Sequence, residues 1–226
     1  MESNIQSELT EKMHLLEKEC IGYENFVNCD DEHYLKTLEG IRQLVTQVQS
    51  DCLFSPNEEL KEIATENLKL LMAPYYQAMV LSRIMDQRFE RVKMAKVFYM
   101  EYLKLLRHYE VLEKDQCKVL KSLLSQQKVS VIQGKTDATV EEVKEAQQLL
   151  KEIQEAKLNP YDNRDAKVAE FKMKKQIEQQ MDLLKNYQDE ETKREFYMAM
   201  IKQSILVSFE SLRTIEMELE ILKHHA

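Results

Sequence analysis

The sequence predicts an all-α fold of long helices joined by few loops, and three observations predict it. Only three Gly and three Pro occur in 226 residues, which starves the chain of turn-forming residues. Leu, Lys, Glu, Gln, Met and Ala dominate, all good helix formers. β-branched runs of strand length are nearly absent, while apolar residues recur at steps of three and four. The length suits one sizeable core or an elongated array of helices.

The first helix is predicted from about Ile5 to Phe26, with Ile5, Leu9, Met13, Leu16, Cys20 and Tyr23 on one face. Asn28, Asp30 and Asp31 supply a turn and an N-cap. A second, antiparallel helix follows, with Tyr34, Leu38, Ile41, Leu44/Val45 and Val48 facing inward. Ser55-Pro56-Asn57-Glu58 then reads as a capping box with proline at the first helical position, and Leu53 or Phe54 staples the entry against Leu60. The third helix carries Leu60, Ile63/Ala64, Asn67/Leu68, Leu71, Tyr75, Ala78 and Met79. Pro74 either kinks it or sits in the first turn of a restarted helix. From about Asp86 to Glu113 an aromatic-rich helix (Phe89, Val92, Val97, Tyr99, Met100, Leu103, Leu106, Val111) is expected in the core.

Asp115–Gln127 reads as one helix and Ser130–Thr139 as a loop. Thr139 N-caps a run to about Ala156, with Glu142 completing a second capping box. Its apolar face is thin: Val140, Val143, Ala146, Leu149/Leu150 and Ile153. Asn159-Pro160 ends it, because the residue before proline resists the α region. The chain closes on a long helical hairpin, with Arg164–Tyr187 descending, Asn186–Asp189 turning and Glu190–Lys223 returning. Ala166, Ala169, Met173, Ile177, Met181 and Leu184 form the core face of the descending arm. In the returning arm Ile201, Ile205, Ser208, Leu212, Ile215, Leu219 and Leu222 keep a coiled-coil-like spacing. The whole reads as a single domain over 1–226: an N-terminal helical array (1–113), variable helices and loops (114–162) and a C-terminal hairpin (163–226).

Several function classes fall away. A net charge of −8 argues against general nucleic-acid binding, which needs a basic footprint. No apolar run approaches membrane-spanning length, and the polar N-terminus has no secretory signal pattern. The cysteines Cys20, Cys29, Cys52 and Cys117 form no CxxC and read as reduced thiols in a cytoplasmic or nuclear protein, Cys52 and Cys117 as small core residues. Three scattered glycines cannot build a phosphate loop, and no HExxH or Gly-x-Ser-x-Gly is present. His108 reads as a core or boundary residue rather than a catalyst. Asp30-Asp31-Glu32 and the alternating Glu216, Glu218 and Glu220 read as solvated or helix-capping carboxylates. No enzyme, cofactor or metal is expected.

One segment does point to a function. Arg164–Lys175 holds five basic and two acidic residues, a local charge of +3 on an acidic chain. At ~100° per residue, Arg164, Lys167, Lys174 and Lys175 cluster on one side of a helix with Phe171 among them. A basic stripe around an aromatic suits an acidic protein partner. The plain alternative is a solvated face with Phe171 half tucked under its neighbours.

Leu53–Tyr76, Arg164–Leu184 and Arg194–Leu222 together resemble the N-terminal domain of the phosphatase-associated alpha-four (immunoglobulin-binding protein one) family, whose yeast members are the Tap proteins. The first segment is similar to the family's Leu-Phe-Ser-x-Asn-Glu-x-Leu-x-Glu-Ile stretch and the second to its Arg-x-x-Lys-Ile-x-x-Tyr-Lys-x-Lys-Lys run. Val168 and Phe171 are mild departures. The third follows the family's order of aromatic, isoleucine and terminal Glu-Ile-Leu positions. The likeness spreads over about 170 residues from near Leu53 and leaves Gln116–Leu158 unmatched, as a variable insertion would be. The family's longer C-terminal tail is not among these residues. Lys36–Ser50, where vertebrate members are proposed to bind ubiquitin, lacks an acidic run, so that role is not carried over.

The resemblance implies a tetratricopeptide-like array that binds and stabilises catalytic subunits of type 2A protein phosphatases and their relatives, without catalysis of its own, in target-of-rapamycin-linked signalling. It implies a monomer and places the family's phosphatase-contacting arginine and lysine on Arg164 and Lys167. The competing expectation is a generic helical scaffold or a coiled-coil oligomer joined through the Ile201–Leu222 seam. Binding of anionic lipid by the basic stripe is a weaker third, because Ala and Met make a modest apolar face.

Overall fold

The computed structural model describes residues 8–18, 29–51, 53–55, 57–135, 139–156, 164–186 and 189–225. Among them every regular element is helical. They are α1 (8–18), α2 (Asp31–Ser50), two 3-10 segments (Leu60–Glu62 and Thr65–Met72), α3 (Ala73–Leu81), α4 (Arg88–His108), α5 (Lys114–Gln133), α6 (Val140–Ala156), α7 (Arg164–Leu184) and α8 (Glu190–His225). The chain divides into two compact units, Met1–Tyr109 with Lys174–Ala226, and Glu110–Met173. The division falls inside α7.

In the first unit α2 packs on α3, α3 on α4, and α8 on both α4 and the second 3-10 segment. Leu9 and Met13 of α1 are buried, as are Tyr34, Leu38, Ile41, Leu44 and Val48 of α2. The predicted faces of both helices are therefore the core faces; Ile5, Cys20 and Tyr23 lie outside the described residues. Asp30 caps α2, its Oδ1 accepting from the His33 N–H at 3.0 Å. A Cβ on Gly40 would lie 2.9 Å from Leu16 Cδ2, so a larger residue here would require the end of the Leu16 side chain to shift.

The expected third helix does not begin at Ser55. Ser55–Glu58 forms a turn, with the Glu58 N–H on the Ser55 carbonyl at 3.2 Å and long side-chain bonds of 3.4 Å, and Pro56 lies outside the described residues. The capping box that forms is four residues further on, with the Glu59 N–H on Glu62 Oε2 at 2.8 Å. Thr65–Met72 winds as 3-10 helix and is buried almost all round, Lys69 included. Pro74 then sits in the first turn of α3, the restart rather than the kink.

Buried polar groups tie these elements together. Glu17 of α1 accepts from Lys69 Nζ at 2.8 Å and from the Tyr76 hydroxyl at 3.2 Å, with His14 Nδ1 3.5 Å away. Lys69 also lies over the Tyr197 ring, 4.8 Å from its centroid. Arg194 donates to the carbonyls of Leu60 and Ile63 at 2.7 and 2.8 Å, tying α8 to the 3-10 turn. The Tyr102 hydroxyl meets Ser204 Oγ at 2.6 Å, and its complete burial pushes its pKa upward.

α4 starts at Arg88 after Gln87 in the left-handed region and ends at His108, with Glu110 also at positive φ. His108 is exposed in the last turn, edge-on to Tyr109, rather than in the core; there it faces the negative end of the helix dipole. Asp31 holds the loop before α4. Its carboxylate accepts from the Met85 N–H at 3.0 and 3.1 Å and the Asp86 N–H at 2.7 Å, and these bonds lower its pKa. Arg88 braces the same loop through the Ser82 and Ile84 carbonyls at 2.8 and 3.1 Å.

α8 is capped by Asp189, which takes the Thr192 N–H at 2.8 Å. Its seam is buried from Ile201 through Ile205, Ser208 and Leu212 to Ile215, covered by α4 and the 3-10 segment. Leu219 and Leu222 are only half-covered. The glutamates beyond are not merely solvated. Glu218 takes Arg88 at 2.5 and 2.8 Å in a bidentate pair, and Glu216 takes Lys96 at 3.2 Å. Their reason is position, since both face α4.

The second unit is built on the α5–α6 pair. Val129, Ala146 and Ile153 are buried together with Ile132, Leu149 and Leu150 against them. α5 runs to Gln133, into the Ser130–Thr139 stretch expected as loop; Val129 is buried just before it and Ser130 Oγ bonds back to the Gln126 carbonyl at 3.0 Å. The Thr139–Glu142 capping box forms as expected, at 2.9 and 3.2 Å. A hydrogen bond from Lys135 and the Thr139 N–H hold the Glu142 carboxyl below its usual pKa. Val140 and Val143 stay exposed. Cys117 is half-buried, its Sγ 3.8 Å from the Leu112 carbonyl; Cys52 lies outside the described residues.

Candidate functional site

The basic stripe lies on α7. A helix forms here because Arg164–Leu184 contains no Gly or Pro and is rich in Ala, Lys, Gln, Met and Leu. Its C-terminal half is anchored in the first unit, where Ile177 is buried with Ala199 and Leu206 of α8 and Met181 packs against them. The core face reaches no further, because Ala169 and Met173 are exposed. The predicted stripe of Ala166 to Leu184 is thus covered only from Ile177 onward, and the Ala166 side chain lies outside the described residues.

Of the predicted site residues, Arg164 opens the helix, and its side chain lies outside the described residues. Lys167 is exposed, and Phe171 is 66% exposed. Phe171 is not tucked under its neighbours, as the plain alternative requires. Val168, three residues earlier, is 44% exposed and adds a second apolar side chain to the same part of the helix. The sequence signalled it only through its i, i+3 relation to Phe171. In the anchored half, Lys175 is exposed, whereas Lys174 is half-buried with Nζ 3.3 Å from Glu210 Oε2 on α8. Lys174 therefore shares its charge within the chain, through a surface pair worth little.

An uncovered aromatic costs solvation and contributes nothing to the fold, but next to cations it is suited to a protein surface with carboxylates around an apolar centre. Among the described residues no cluster of three or more His, Cys, Asp or Glu has a metal-holding arrangement, and no helix is long and apolar enough to cross a membrane.

The model of the TAP42-like family matches residues 9–226. That match includes both Gln116–Leu158, which the sequence resemblance left out as an insertion, and the helices before Leu53. The human protein "Immunoglobulin-binding protein 1 family member C" is 25% identical over 195 residues, covering 83% of this chain and 51% of the relative. The "PP2A regulatory subunit TAP46" of Nicotiana tabacum is 26% identical over 194 residues, covering 85% of this chain and 47% of the relative. The chain thus spans about half the length of these relatives. The solved structure titled "The Structure of Tap42 Alpha4 Subunit" superposes with a TM-score of 0.65 at 18% identity, over 95% of this chain and 97% of the other, which shows a shared all-helical fold.

Proposed function

The chain belongs to the TAP42-like family, and from that premise we propose that it is a non-catalytic regulatory protein that binds and stabilises catalytic subunits of type 2A protein phosphatases. The observation that carries the site is the exposure of Phe171 and Val168 on α7 beside Lys167. Arg164 offers a planar fork to a carboxylate and Lys167 a point charge. Phe171 supplies apolar contact beside them, and Lys174 and Lys175 extend the positive field that steers encounter.

The related name "PP2A regulatory subunit TAP46" supports a type 2A phosphatase as partner, and the family resemblance supports a role in target-of-rapamycin signalling. The burial of the α8 seam from Ile201 to Ile215 within the chain favours a monomer over the coiled-coil oligomer. The working compartment is the cytoplasm, with access to the nucleus.

The test is retention of purified type 2A catalytic subunit by this chain with and without Arg164→Glu/Lys167→Glu, helicity being checked by circular dichroism. Loss of about 2–5 kcal/mol of binding in a folded variant is expected for paired interface charges. Undiminished binding would remove the stripe from the interface; no binding by the unaltered chain would remove the partner.

A further inference from the structure

We infer that Glu210 of α8 is a built-in competitor at the basic stripe: it occupies Lys174 until a partner's carboxylate displaces it, and so makes docking selective for strongly acidic partner surfaces. The inference rests on the proposed role of the stripe as the phosphatase-docking face, and it names a control on that same site. Lys174 lies seven residues on from Lys167 and three from Phe171, which at ~100° per residue puts it within about 60° of both on α7. Its Nζ is 3.3 Å from Glu210 Oε2. A carboxylate supplied by the chain itself therefore already sits on one of the cations of the stripe.

The pair has the geometry of an exchangeable contact rather than a brace. The Lys174 side chain is 35% and that of Glu210 59% exposed, and the bond between them is long. An ammonium holds any acceptor as a point charge, so nothing about Lys174 reserves it for Glu210. Glu218 on the same helix is the contrast: it takes Arg88 through two short bonds, with both side chains under one-third exposed. Glu210 is not needed to hold α7 either, because Ile177 and Met181 pack against Ala199 and Leu206. Other charges stand near the pair. Glu170 and Glu178 lie four residues either side of Lys174, and Arg213 three residues on from Glu210. Glu170 and Arg213 are already engaged, and Glu178 is exposed. A carboxylate beside a cationic docking face repels an incoming acidic surface and withholds a cation from it, and only a partner acidic enough to offset both is accepted.

The test is the association of purified type 2A catalytic subunit with the full chain, followed by stopped flow for the unaltered chain, Glu210→Gln, Lys174→Gln and the double variant. Glu210→Gln is expected to associate about threefold faster at low salt, with its melting temperature unchanged. In the Lys174→Gln background the same substitution is expected to leave the rate within about 1.5-fold, since no ammonium is left to release. An equal gain in both backgrounds overturns the inference, by making Glu210 a general repulsive charge. Unchanged or slower association of Glu210→Gln overturns it as well. Both of these results leave the docking role of the stripe standing. Absence of binding by the unaltered chain and by Glu210→Gln alike removes the phosphatase as partner, and this inference with it.

Discussion

Single side chains in this protein divide into those that hold the fold and those that are left for a partner, and exposure separates them. Phe171 touches too little to stabilise anything, so Phe171→Ala should leave the melting temperature unchanged while weakening phosphatase binding by about 1–2 kcal/mol in a titration. Glu17 and Lys69 are the opposite case. Glu17→Gln strands a buried ammonium and should cost about 3–5 kcal/mol in urea unfolding, whereas Glu17→Leu with Lys69→Met should recover much of that loss. Asp31 adds a pH dependence. Its folded pKa lies below the ordinary aspartate value because the Met85 and Asp86 N–H groups favour the carboxylate. Its contribution is therefore fully present above the ordinary value of 3.8 and is lost as pH falls through the lowered one. Melting curves from pH 6 down to about 2 should converge for the native chain and Asp31→Asn at the acid end. Neither the Glu17–Lys69 pair nor the hold of Asp31 on the loop before α4 was legible beforehand. Glu17 and Lys69 are 52 residues apart, and a charged residue gives no signal of burial until its distant partner is known.

At the scale of elements, the helices with one wet face were the readable ones. α2 turned the face that its period predicts into the core, and the α6 capping box formed as Thr139 and Glu142 required. Thr139→Ala should destabilise the start of α6 by about 1 kcal/mol, seen as faster amide exchange in its first turn. The segment Thr65–Met72 was misread as α-helix because apolar residues three apart suit a 3-10 turn as well as an α turn. The α8 seam was legible in spacing but not in destination, since 4-3 repeats serve a second chain and an intrachain neighbour equally. Its burial against α4 gives Ile205→Ala an expected cost of about 2–4 kcal/mol in denaturant unfolding. The basic stripe was legible in α7 from charge and period alone; that Lys174 is shared with Glu210 depends on the hairpin's register and was not.

Over the whole molecule, a chain of charge −8 carries its positive charge locally. Encounter with an acidic partner should thus slow several-fold as salt rises beyond the physiological range, and Arg164→Glu/Lys167→Glu should flatten that dependence in stopped-flow association. Fold class was the most legible property, because scarce Gly and Pro together with helix-forming composition act over every residue. The two-unit division was not, because it depends on which distant segments pack.

That division sets a timetable for synthesis. The first unit is discontinuous, and the 64 residues of Glu110–Met173 emerge from the ribosome between its halves, a delay of roughly 3–13 s. Throughout it the carbonyls of Leu60 and Ile63 wait for Arg194, and Tyr102 waits for Ser204. The α5–α6 pair, whose contacts are close in sequence, has everything it needs in the meantime. A nascent chain paused before α8 therefore offers the uncovered faces of α4 and of the Thr65–Met72 segment to chaperones, and completion of the last helix ends that exposure.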